Sequence, residues 1–95
     1  MPQLNEIPRK SPQIIARRTG DEYVLVPVTN DIADMTSMYT LNETGAFIWD
    51  RIDGSATIDD IARALADEYG EQLETTRRDV LSCLADLDKY LITAR

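Results

Sequence analysis

Histidine is absent from the 95 residues, and Cys83 is the single cysteine. Together these exclude an internal disulfide, a Cys/His catalytic dyad and a zinc site of the usual ligand types. A serine nucleophile needs an adjacent base, and Ser37, Ser55 and Ser82 stand in no recognisable setting for one. The four glycines are dispersed singly, so none of them builds a phosphate-cradling loop. Positive charge is also short. Ten Lys and Arg face 17 Asp and Glu, and the net charge of -7 repels phosphate backbones and anionic membrane surfaces. No apolar run approaches the roughly 20 residues that cross a bilayer, and the proline-bearing start lacks the apolar centre of a signal peptide. The expectation is a cytoplasmic protein that is not an enzyme, with no cofactor, no metal, and neither nucleic acid nor membrane as a partner. Acidic pairs such as Asp59 with Asp60, or Glu71 with Glu74, sit at helix starts and in a turn, where they serve as caps and dipole partners.

A chain of this length, 43% hydrophobic, suits one domain with a modest core. Residues 1 to 12 hold three of the four prolines and read as an extended or flexible arm, which leaves 13 to 92 as the domain. "QIIARR" and "EYVLVPV", separated by "TGD", predict a hairpin with strands near 13 to 18 and 22 to 28. Pro27 then belongs at a strand end, a bulge or an unpaired edge, because it has no N–H to donate. "TSMYTL" predicts a third strand at 36 to 41.

From Asn42 the period becomes helical. Asn42 is a good N-cap, and Phe47, Ile48, Trp49 and Ile52 crowd a short helix that Asp53-Gly54 stops. Phe47 and Trp49, the only residues of their kinds, are expected to tie sheet to helices as core. Thr57 and Asp60 have capping-box spacing, and Ile58, Ile61, Ala62, Leu65, Ala66 and Tyr69 follow at helical intervals up to Gly70. A last helix is expected to begin between Glu74 and Thr76, with Thr76 and Asp79 at capping spacing and Val80, Leu84, Leu87 and Leu91 as its stripe. Cys83 flanks that stripe and reads as a small buried apolar residue. Segregated strands and helices give an α+β fold: a three-stranded antiparallel sheet followed by a three-helix bundle.

Strands followed by helix, turn and helix also fit an acidic winged-helix transcriptional regulator or a generic protein-interaction domain. A recognition helix over 74 to 91 would carry Arg77, Arg78 and Lys89, but also Glu74, Asp79, Asp86 and Asp88 against the phosphates. A better use of the fold is the edge of its third strand. Paired in sequence order, "TSMYTL" lies outermost and carries no lysine, proline or glutamate as a defence, so an extended segment of another chain can add to it. A covering helix, or a second copy forming a homodimer, is the competing occupant.

The run "MYTLNETGAFIWDRIDGSATIDDIARALADEYG", with "DVLSCLADLDKYLI" after it, resembles the PqqD family of small peptide chaperones in pyrroloquinoline quinone biosynthesis. Related domains serve as recognition elements for ribosomally made, modified peptides (RiPPs). The resemblance covers about residues 13 to 92. Its most specific residues are Leu41-Asn42, Thr44-Gly45, Ile48-Trp49, Asp53-Gly54 and the helix start at Thr57-Ile58. It implies a winged-helix-like domain that binds the leader segment of a precursor peptide as an added strand and presents it to a modifying enzyme, often a radical S-adenosylmethionine (SAM) enzyme. On this chain the implied peptide-binding residues are Thr36, Ser37, Met38, Tyr39 and Thr40 on the strand, and Arg77, Val80, Leu81 and Leu84 on the helix. Asn42, Gly45, Trp49 and Gly54 take architectural roles.

Overall fold

The computed structural model describes residues 3–29, 32–33, 38–87 and 91–93. Its strands are β1 (Pro8–Lys10), β2 (Ile14–Thr19), β3 (Glu22–Thr29), β4 (Ile32–Ala33), β5 (Tyr39–Leu41) and β6 (Leu91–Thr93). Its helices, α1 (Glu43–Asp50), α2 (Ile58–Tyr69) and α3 (Leu73–Asp86), lie between β5 and β6. The result is α+β, with an antiparallel sheet followed by three helices.

The hairpin pairs β2 with β3 from Ile14↔Pro27 to Thr19↔Glu22, across Gly20 and Asp21. On the other edge of β3, β5 pairs with Tyr23 to Leu25 and β4 with Val28 and Thr29. Among the described residues Val26 and Pro27 have no strand partner on that edge. Pro27 therefore occupies the gap between the two pairings, where a missing donor disturbs neither. β4 falls in a stretch whose polar residues read as loop.

Strand alternation turns Leu25 inward, where it joins Leu41, Ile48, Trp49, Ile52, Ile58, Ile61, Ala62, Leu65, Val80, Leu84 and Leu87 in one buried cluster. Trp49 is 1% exposed. Phe47 differs in part from the expectation: it packs half-buried against the core cluster, edge-on to Tyr69 of α2 at 5.8 Å between ring centroids, with the Arg51 guanidinium 4.5 Å from its ring centre. It ties helix to helix, and Trp49 alone of the two is a core aromatic. Ile52 is buried just past the end of α1, and Asp53 opens a turn by accepting from Ser55 N and Ala56 N at 2.8 and 2.9 Å. Gly54 follows at φ +81°, a left-handed conformation that glycine adopts without strain.

The start of α2 is fully supplied with acceptors. Thr57 Oγ1 accepts from Asp60 N at 3.0 Å, and Asp60 returns a bond to Thr57 N. The arm provides the rest. The carbonyls of Glu6 and Leu4 accept from Ile58 N and Asp59 N, both at 2.9 Å, and these are amides that a helix cannot satisfy internally. Further along the arm Pro8 is buried, and β1 pairs antiparallel with β6. Leu91, expected on the α3 stripe, is in β6 instead.

The third helix begins earlier than the capping spacing suggests. Its N-cap is Gln72, which makes no side-chain cap bond. Thr76 is 1% exposed, with its hydroxyl 2.9 Å from the carbonyl oxygen of Ala62 and 3.0 Å from that of Leu73. It locks α3 onto α2 and caps nothing. Among the described residues no helix is long and apolar enough to cross a membrane.

Candidate functional site

A cleft of about 470 Å³ opens between β5, the start of α1 and one face of α3. On the sheet side it is lined by Tyr39, Thr40 and Leu41, and on the α1 side by Asn42, Thr44, Gly45 and Ile48. The α3 wall is Asp79, Ser82, Cys83 and Asp86, which recur at i, i+3, i+4 and i+7 along one stripe.

Local sequence explains how these walls approach. Asn42 Oδ1 accepts from Gly45 N at 2.7 Å, starting α1 immediately after β5. Gly45 is buried, and a Cβ there would stand 3.2 Å from Leu41 Cδ2 and 3.3 Å from Asn42 Oδ1. A side chain there would have to push these neighbours back by a few tenths of an ångström, so glycine suits the tight turn of strand into helix. Behind them Tyr23, which registers with Leu41, donates its hydroxyl to Asp50 Oδ1 at 2.9 Å and anchors β3 to the far end of α1. Burial, and then that bond, raise the Tyr23 hydroxyl above the ordinary tyrosine range.

β5 is an outer strand, and among the described residues β3 is its strand partner. Pro8–Lys10 of the proline-bearing arm pair with β6.

The residues expected to bind peptide separate into groups. Thr36 and Ser37 lie outside the described residues. Tyr39 and Thr40 line the cleft. Met38 is 44% exposed and lies on the opposite face of the sheet, in an apolar concavity with Ile15, Val24 and Val28. On the helix, Val80 and Leu84 are 0% and 2% exposed within the core, and Leu81 packs half-buried against that core. Arg77 is held elsewhere: its Nε donates to Asp59 Oδ1 at 2.6 Å, while Arg63 Nε donates to Asp59 Oδ2 at 2.9 Å. Those bonds, Arg77 first, hold the Asp59 carboxyl below the usual range, and Asp59 in turn raises Arg77.

The helical residues that do line the cleft escaped sequence reasoning because hydrophobic periodicity reports which face is buried. The polar stripe next to that face, Asp79–Ser82–Asp86, was the available signal. Asn42 and Gly45, assigned to architecture, line the cleft as well as shape it.

Burial, and secondarily the Asp86 carboxylate, push the Cys83 thiol up to about 11, so it is a protonated, weakly polar contact at neutral pH. Among the described residues no three His, Cys, Asp or Glu side chains stand together as metal ligands.

Comparison with known proteins bears on this geometry. Three solved structures share the fold. The PqqD truncation of Methylobacterium extorquens PqqCD, described as a functional, stand-alone RiPP recognition element, is 20% identical with a TM-score of 0.77, over 97% of this chain and 95% of its own. A lasso peptide synthetase B1 complexed with its leader peptide is 22% identical with a TM-score of 0.72, over 94% and 99%. TbiB1 in complex with the TbiA(beta) leader peptide is 22% identical with a TM-score of 0.70, over 87% and 93%. At these identities the likeness speaks to the fold. No curated protein sequence matches. The family model for coenzyme PQQ synthesis protein D matches residues 22–92, and the chain belongs to the PqqD family.

Proposed function

We propose that the protein is a non-catalytic recognition element: it binds the leader segment of a ribosomally made precursor peptide and presents it to a modifying enzyme, such as a radical SAM enzyme. The observation that carries this reading is the cleft itself, with the outer strand β5 on one side and a polar stripe of α3 on the other. A leader lying there extends the sheet beside Thr40 and directs alternate side chains toward Ser82 and Cys83 of α3. Main-chain bonds to a strand contribute ~0.5 to 1.5 kcal/mol each net, so a few of them with one or two apolar anchors offset the ordering of a flexible peptide. The family assignment and the leader-bound relatives of the same fold support the reading.

An amide NMR titration with the precursor encoded beside the gene tests it. Shifts are expected at Tyr39 to Gly45 and along Asp79 to Asp86, on a protein that stays monomeric. Shifts spread evenly over the molecule would defeat the docking site, and a peptide-independent dimer through β5 would assign that edge to self-association.

A further inference from the structure

The cleft is chemically one-sided. Asp79 and Asp86 are exposed on its helical wall, and among the described residues no lysine or arginine lines it. The ion pairs are Asp59 with Arg63 and Asp59 with Arg77, so neither wall carboxylate has an ion-pair partner among the described residues. Arg77, the cation that sequence spacing placed near the cleft, is committed to α2. Between the two carboxylates the wall carries exposed Ser82 and half-buried, weakly polar Cys83, with the buried Leu41 and Ile48 beneath.

From this arrangement, and resting on the recognition reading above, we propose that the guest is cationic where it meets α3: an apolar residue with Lys or Arg flanking it on the same side of the strand. Seven residues of helix separate the carboxylates by about 10 Å. An extended guest repeats same-face side chains about 6.6 to 6.8 Å apart, so cations on either side of one residue stand roughly 13 Å apart, and the flexible stems of Lys and Arg bridge the difference. An acidic or phosphorylated leader would bring like charges to both ends of the wall and is selected against.

The test is a selection of randomised twelve-residue peptides on the immobilised full chain, run in parallel on Asp79→Asn/Asp86→Asn and on Asp67→Asn/Glu68→Gln. The second variant removes equal charge from exposed positions at the far end of α2. Wild type and the α2 variant are expected to enrich Lys and Arg and to deplete Asp and Glu. The cleft variant should lose that bias and bind the winning peptides roughly threefold to tenfold more weakly. Equal loss of bias in both variants would assign the effect to net charge and overturn the local inference. So would winning peptides without a charge bias that still shift the Thr40 and Ser82 amides, and in that case the recognition reading stands. Winning peptides that leave those amides unmoved overturn the recognition reading and the inference with it.

Discussion

The two faces of α3 share one backbone and do opposite work. Thr76, Val80, Leu84 and Leu87 point into the core, where each is at most 2% exposed. Asp79, Ser82, Cys83 and Asp86, displaced from them by one or two positions along the chain, line the cleft. Family resemblance led to Val80 and Leu84 as peptide contacts, but a side chain without exposed surface meets a guest only if the core opens. Under the proposed function, specificity would lie beside the hydrophobic stripe, on residues that the core does not hold.

The sharpest way to separate the faces is Leu84→Ala. Truncating a buried leucine removes its transfer free energy and leaves a partly filled cavity, so urea denaturation should show a loss of about 2 to 5 kcal/mol. If Leu84→Ala kept its stability and lost peptide binding, the roles given to the two faces would have to be exchanged.

Ser82→Trp is the converse. An indole placed in the cleft from an exposed position should leave the unfolding free energy within about 0.5 kcal/mol of wild type while weakening a leader peptide at least roughly tenfold, equivalent to about 1.4 kcal/mol. Isothermal titration beside a melt reads both quantities. A stability loss as large as that of Leu84→Ala would mean that Ser82 belongs to the core.

How much of this was legible follows from which signals are local. Asn42 and the Thr57/Asp60 pair declare their helix starts because a cap is made within four residues, and both form as written. Thr76 and Asp79 have the same spacing and mislead, because the true start at Gln72 has no side-chain cap to read. The β1–β6 pairing joins Pro8–Lys10 to Leu91–Thr93, and only the fold brings segments so distant in sequence together. The cleft falls in the same class. Tyr39 and Thr40 were legible as an outer strand, whereas the α3 wall depends on the rotation of a helix about its axis.

Thr76→Val probes the inner face more gently. Valine keeps the shape and removes the hydroxyl that reaches the Ala62 and Leu73 carbonyls, so the loss should be about 1 kcal/mol, the net worth of one buried hydrogen bond. Leader affinity should not change, since nothing on the cleft side moves.

The smallest effect expected comes from the boundary between α3 and α2. Asp59 titrates below its ordinary value because Arg77, and after it Arg63, hydrogen-bond the carboxylate. A folded-state value below the unfolded one means that the unfolded chain takes up the proton first. The stabilisation is therefore complete above the unfolded value of about 3.9 and fades as pH falls through the lower folded value. Asp53, held down by Ala56 N and Ser55 N, adds a second contribution of the same sign. Stability should thus decline below about pH 4, and Asp59→Asn should make that decline shallower without abolishing it, because Asp53 remains. Since Arg77 faces Asp59 and not the cleft, the same variant should bind leader peptide like wild type at pH 7. Lost binding there would place Arg77 back at the peptide and dissolve the separation between the two faces of the helix.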